Sequence, residues 1–239
     1  MFILEVRVDA VTFEQVLACI KEFIADGRPH QIVTVNPEFV MAAQSDAEFR
    51  DIINSSALAL PDGVGVSWAS RHLGRPLPDR IPGVDLVERL AALSMDRGYR
   101  LFFLGAMPGV ADKAVEVLGE CYPGMAVAGT YAGSPRREEE AAIVERVRAT
   151  HPHVLFVAYG APAQDHWIAR NMDRLEVPVC IGVGGSFDYI AGVHLRAPHW
   201  MRHLGLEWLH RLITQPWRWR RMMALPRFAW HVLWSRDHG

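Results

Sequence analysis

The chain has 239 residues, half of them apolar, and a formal net charge of −2. This length supports one sizeable core, with one domain as the default, and the near-neutral total argues against a general polyanion binder. No stretch reaches the ~18 uncharged apolar residues that a membrane-crossing helix needs, and Met1-Phe2-Ile3-Leu4 lacks the preceding basic region of a signal peptide. The three cysteines, Cys19, Cys121 and Cys180, are odd in number, far apart and never at metal-ligand spacing. They read as reduced core residues rather than a disulfide framework.

Short apolar, β-rich runs alternate with helix-length amphipathic runs. The strand candidates are residues 4–8, 31–35, 57–60, 100–104, 125–130, 154–159 and 177–183. The helix candidates among them are residues 12–25, 46–54, 66–73, 83–97, 110–121, 136–150 and 162–172. Such alternation predicts a Rossmann-like α/β fold, a mainly parallel sheet with helices on both faces. The run Val154-Leu155-Phe156-Val157-Ala158 is apolar without alternation, as a strand buried on both faces should be. After Gly192 the strand signals stop. Residues 199–214 and 216–235 read as two helices split by Pro216, with Pro226 a candidate kink. The expected organisation is therefore an α/β core over 1–192 and a helical appendage over 193–239. The appendage holds eight Arg, no Lys and two acids (Glu207 and Asp237), a formal +6 against −8 for the core. It also carries six of the eight Trp and six of the eleven His, a shift that marks a functionally distinct segment.

In a parallel sheet the C-terminal strand ends share one edge, and ligands bind there. Five such ends carry glycine or small polar residues: Thr34-Val35-Asn36-Pro37, Pro61-Asp62-Gly63, Leu104-Gly105-Ala106-Met107-Pro108-Gly109, Gly160-Ala161-Pro162-Ala163-Gln164 and Gly182-Val183-Gly184-Gly185-Ser186. Glycines ahead of helix N-termini (Gly63, Gly105, Gly160, Gly184 and Gly185) let backbone N–H groups approach a phosphate. A nucleotide or sugar-nucleotide site follows. The focal stretch runs from residue 57 to 88, where Asp62 stands at a strand end and a loop with Arg75, Asp79 and Arg80 follows. Asp62 has two readings, an active-site acid or the N-cap of the next helix. The dinucleotide fingerprint G-x-G-x-x-G is missing near the start, and no Gly-Lys pair signals a P-loop. No Asp-x-Asp pair offers metal ligands, and His151-Pro152-His153 precedes a strand at the opposite edge. A diphosphate here would be met by arginine forks and backbone amides, with no metal and no cofactor. Of the nearby arginines, Arg80 is the candidate, while Arg71 and Arg75 read as surface charges.

At this point the residues resemble the WecG/TagA/CpsF family of bacterial glycosyltransferases, over nearly the full chain. The resemblance rests on Thr34-x-Asn36, Pro61-Asp62-Gly63-x-Gly65, Asp79-Arg80-x-x-Gly83-x-Asp85, Phe103-Leu104-Gly105, Gly160-x-Pro162-x-Gln164-x-x-Trp167, Gly182-Val183-Gly184-Gly185-x-Phe187-Asp188, Arg196-Ala197-Pro198 and Gly205-Leu206-Glu207-Trp208-Leu209-x-Arg211-Leu212 with Pro216-x-Arg218. It implies an inverting, metal-independent enzyme that moves a sugar from a UDP-sugar to a polyprenyl-diphosphate-linked acceptor sugar, for cell-surface polysaccharide or teichoic acid synthesis. The sugar would be N-acetylmannosamine-type or another hexose, and a UDP-glucose-dependent exopolysaccharide glucosyltransferase is the alternative within the family. Carried over residue by residue, the resemblance makes Asp62 the general base and puts Thr34 and Asn36 in the same pocket. Arg80 and Gln164 would touch the substrates, and Asp188 with its glycine neighbours would lie near the nucleotide. Arg211, Arg218 and Arg221 would reach over the site and help the diphosphate leave. Two positions depart from the family pattern: Ala163 stands where lysine is common, and Glu5 where glycine is common.

The Arg/Trp-rich tail suits a lipid headgroup layer, where amphipathic rings and cations both sit well. Its competing readings are packing on the core and nucleic-acid binding, and the acidic core argues against the latter. The expectation is a cytoplasmic protein, peripheral on the inner face of the cytoplasmic membrane, with no nucleic-acid partner and homo-oligomerisation left open. A non-catalytic nucleotide-sugar-binding protein is the competing class, which the joint presence of Asp62, Arg80 and Gln164 disfavours.

Overall fold

A computed structural model describes residues 1–198, 200–201, 206–216 and 219–235, with the side chains of Arg211 and Arg220 outside the description. Its centre is a six-stranded sheet of β3 (His30–Val35), β4 (Leu58–Pro61), β5 (Leu101–Gly105), β6 (Val127–Tyr131), β7 (Val154–Ala158) and β8 (Val179–Gly182). The spatial order is β4-β3-β8-β7-β5-β6, and every neighbouring pair is parallel. This is the Rossmann-like α/β fold the alternation predicts.

One expected strand is corrected. Residues 4–8 do not join the sheet. Instead β1 (Phe2–Ile3) and β2 (Val6–Arg7) form a separate antiparallel hairpin. Its turn is Leu4 (φ 47°) and Glu5 (φ 65°), both left-handed, as a tight two-residue hairpin connection demands. Glycine would take that conformation without steric cost, which explains why a glycine suits position 5. Here Arg50 pairs with the Glu5 carboxylate at 2.8 Å and Asn54 Nδ2 donates to the Glu5 carbonyl at 3.0 Å.

Alternate strand residues feed two layers. Leu101, Phe103, Phe156 and Ile181 pack beneath α1 (Phe13–Asp26), α5 (Gly83–Arg97), α6 (Val110–Cys121) and α9 (Ser186–Ile190). On the opposite face, Val33, Val35 and Ala59 lie under α2 (Pro37–Ala43), α3 (Ala47–Ser55) and α4 (Val64–His72). Phe102, Leu104, Leu155 and Val157 lie there under α7 (Arg137–Arg148) and α8 (Ala163–Leu175). Residues buried on both faces explain the unbroken apolar run of β7. The layering also fixes the site. β3 leads into α2 on one face, and its neighbour β8 leads into α9 on the other. A crevice opens between their C-terminal ends, at the topological switch point.

The tail differs in detail from the expected helix pair. Among the described residues it includes α10 (Glu207–Thr214), α11 (Trp219–Met222) and α12 (Ala224–Trp234). Residues 199 and 202–205 of the first expected helix lie outside the described residues, and the second divides into α11 and α12. Pro226 sits in the first turn of α12, where its missing N–H leaves no helical bond unmade, so it is no kink. Phe228 and Val232 of α12 are buried in the cluster shared with α2 and α4. Trp200, Trp219, Trp230 and Trp234 are more than half exposed. Core packing and outward display thus belong to different faces of the tail. No helix among the described residues is long and apolar enough to cross a membrane.

Candidate active site

The crevice is a cavity of about 140 Å³ whose lining includes Thr34, Asn36, Asp62, Gly160, Gln164, Gly184, Gly185 and Arg221. A second cavity of about 90 Å³ adjoins it and includes Asp62, Gly63 and Arg80. Asp62 and Asn36 line both. The backbone N–H of Asp62 donates to Val35 O at 2.8 Å, so β4 and β3 carry this residue jointly to the sheet edge. The cap reading of Asp62 is corrected. Gly63 (φ 86°), and not Asp62, is the N-cap of α4. The true side-chain cap in this region is Asn36, whose Oδ1 accepts from Phe39 N at 3.1 Å. Thr34 is buried, and its hydroxyl donates to Gly182 O at 3.2 Å, tying β3 to β8. Gln164 is buried, and its Oε1 accepts from Gly160 N at 3.1 Å and Gly184 N at 3.0 Å, which fastens the β7 and β8 loops together. α4, α5 and α8 all begin at this edge, so their positive N-terminal ends face the cavity region and favour an anion.

Among the described residues, three ion pairs join the core to the tail around the mouth. Arg80 Nη1 meets Glu207 Oε2 at 2.6 Å, Arg196 Nη2 meets Asp85 Oδ1 at 2.5 Å, and Arg221 Nη2 meets Glu38 Oε2 at 2.8 Å. The Nε of Arg196 is buried and has no hydrogen-bond partner among the described residues. Behind the cavity wall lies Asp165, fully buried beside Gln164, with no hydrogen bond of standard geometry to either carboxylate oxygen among the described residues. Burial pushes its pKa up to about 8, so it is a neutral acid at neutral pH. It sits tight against β8: a Cβ on Gly182 would come within 2.7 Å of its Oδ1.

Most sequence-derived site residues therefore converge: Thr34, Asn36, Asp62, Gly63, Arg80, Gly160, Gln164, Gly184, Gly185 and Arg221 line one or other cavity. Two do not. Asp188 lies on α9 outside both linings, and Gly105 packs against the backbone of Ala158. The Arg211 side chain and the whole of Arg218 lie outside the described residues. Sequence reasoning missed Glu38, Arg196 and Glu207 as cavity residues. Arg196 and Glu207 each fall inside a family block, but only their partners in the fold reveal which way they serve.

A parallel α/β sheet with its crevice at the switch point is the architecture of nucleotide-binding enzymes. Comparison with known sequences narrows this: residues 1–238 match the Glycosyl transferase WecG/TagA/CpsF family, and the chain belongs to it. Among similar proteins is N-acetylglucosaminyldiphosphoundecaprenol N-acetyl-beta-D-mannosaminyltransferase of Bacillus subtilis (strain 168), 38% identical over 202 residues, or 84% of this chain and 78% of that protein. The protein of the same name from Staphylococcus aureus is 34% identical over 232 residues, 96% of this chain and 91% of that one.

Proposed function

We propose that this glycosyltransferase moves an N-acetylmannosamine-type sugar from a UDP-sugar to the N-acetylglucosamine of a polyprenyl-diphosphate-linked acceptor, with inversion and without a metal. The observation that carries this reading is the place of Asp62, a carboxylate at the junction of the two cavities. A single displacement needs one carboxylate to take the acceptor hydroxyl's proton as that oxygen attacks the anomeric carbon. The new O–C bond forms while the bond to the diphosphate oxygen breaks, and UDP departs with the electron pair. Arg80, Arg196 and Arg221, with the helix N-termini, are placed to stabilise the charge that develops on the leaving diphosphate. Thr34 and Gln164 hold the three central strand ends at fixed spacing. The names of the relatives support the sugar and the acceptor. The exposed tryptophans of the tail support a peripheral seat on the cytoplasmic membrane face, and the pathway class would be teichoic acid or related cell-surface polysaccharide synthesis.

The test is a screen of UDP-sugars against a short-chain prenyl-diphosphate-linked N-acetylglucosamine. UDP release is expected to be fastest with UDP-N-acetylmannosamine, to yield the inverted anomer and to persist in excess EDTA. No release with any donor would overturn the reading, and abolition by EDTA would overturn its metal-free form.

A further inference from the structure

A third cavity, of about 440 Å³, opens between α2 and α12 and is larger than either part of the crevice. It adjoins the catalytic cavity at Glu38, Phe39, Ala161 and Arg221, which line both, with the Arg221–Glu38 ion pair at the boundary. Its two walls differ in chemistry. α2 and the residue before α8 contribute apolar Met41, Ala42 and Pro162, with polar Gln44 and Ser45 at the end of α2 and Glu38, paired with Arg221, at its start. α12 contributes Arg227 and His231, which at a spacing of four share one helix face. Among the described residues neither has a carboxylate partner, whereas the neighbouring Arg221 is already paired with Glu38.

The rest of α12 says where this wall lies in the molecule. Phe228 and Val232, also four apart, are buried in the core and set the inward face. Trp230 and Trp234 are 60% and 56% exposed and set the outward face. By helical spacing, Arg227 and His231 stand between these two stripes. With the tryptophans at headgroup depth, the mouth of the groove opens at the membrane surface, and its far end reaches the crevice that holds Asp62.

We infer that this groove receives the lipid-linked acceptor: its diphosphate lies against Arg227 and His231, and its first isoprene units lie along the Met41–Pro162 wall. The inference rests on the acceptor proposed above and locates it. Unpaired donors beside an apolar wall match an amphiphilic diphosphate, since guanidinium grips phosphate oxygens in a bidentate manner and the wall takes the hydrocarbon. A nucleotide has no chain to place there. A phospholipid headgroup has no need of a passage into the catalytic cavity.

The test uses the full chain and two soluble probes, farnesyl diphosphate and inorganic pyrophosphate, with UDP as a control. Arg227 and His231 are exposed, so R227Q/H231Q is expected to fold as the wild type does. The wild type should bind farnesyl diphosphate at least about tenfold more tightly than pyrophosphate. R227Q/H231Q should lose about tenfold or more of the farnesyl diphosphate affinity and leave that for UDP unchanged. M41D should weaken farnesyl diphosphate and spare pyrophosphate. In turnover with a short-chain acceptor, R227Q/H231Q should raise the acceptor KM and not the donor KM. Unchanged farnesyl diphosphate binding and acceptor KM would overturn the inference. So would a loss confined to binding of phosphatidylglycerol vesicles, which would assign the two residues to bulk lipid. A wild type that transfers no sugar would defeat the proposed function alone, and the farnesyl diphosphate titration would still decide the groove.

Discussion

Asp62 is held by main chain on both sides: its own N–H donates to Val35 O at 2.8 Å, and Ile81 N donates to Pro61 O at 2.7 Å. These two main-chain bonds hold the backbone at this position whatever the side chain carries. We expect Asp62→Asn to keep the wild-type melting temperature and to cut kcat by about 10²–10⁴-fold, the usual worth of positioned proton transfer. Near-normal turnover would remove Asp62 from the mechanism. Asp165 lends itself to the opposite experiment, because it touches stability and not the reacting atoms. Its folded pKa of about 8 lies above the ordinary carboxylate value of ~3.9, so the native state holds the proton more tightly than the unfolded chain does. The stability this lends is complete below about pH 4 and is lost as pH climbs to about 8, by at most roughly 1.4 kcal/mol per pH unit. Wild-type protein should therefore melt at lower temperature at pH 8 than at pH 5, and Asp165→Asn should flatten that slope. Parallel melting curves for the two proteins would show that Asp165 does not titrate in this window.

The elements with the strongest periodicity were legible in the sequence. The unalternating apolar run at 154–158 is β7, and the helix expected over 83–97 is α5 with the same bounds. Shared sheet-edge loops then brought ten of the expected site residues together. Among the features that were not legible, three have local reasons. Pro37 looks like a breaker, yet at the first helical position it starts α2. The alternation at residues 4–8 looks like a strand, yet Leu4 and Glu5 turn back on themselves. Gly105 looks like a phosphate-loop glycine, yet its reason for being there is close packing between β5 and β7. With φ +103°, a Cβ there would lie 2.8 Å from the Ala158 carbonyl carbon, whereas at Gly184 (φ +54°) a Cβ meets open space. Chemical denaturation should thus find Gly105→Ala destabilised by about 2–5 kcal/mol, from clash and strained backbone together. Gly184→Ala should lose only about 1–2 kcal/mol. Equal losses would contradict the packing account. The ion pairs of the mouth were illegible for another reason. Arg80 and Glu207 are 127 positions apart, and no local pattern announces such a partner.

Across the whole molecule, the acidic core and basic tail found in the sequence meet at Arg196–Asp85 and Arg221–Glu38, while Arg80–Glu207 runs the other way, a core arginine on a tail carboxylate. The tail's two faces can be separated experimentally. Phe228→Ala should cost about 3–5 kcal/mol of stability, as for a large buried ring. Trp230→Ser with Trp234→Ser should leave the melting temperature unchanged and weaken flotation with anionic vesicles. Flotation unaffected by the paired tryptophan change would remove the membrane role of α12. The three ion pairs have one further effect. Because Arg80, Arg196 and Arg221 already face carboxylates, a diphosphate arriving at any of these three meets a guanidinium that is already paired. It takes the place of one anion beside a guanidinium, and the displaced carboxylate must turn to water. Net affinity is then a difference between two ionic contacts, and dissolved salt weakens both alike. UDP should therefore bind with little dependence on ionic strength, despite the number of arginines around it.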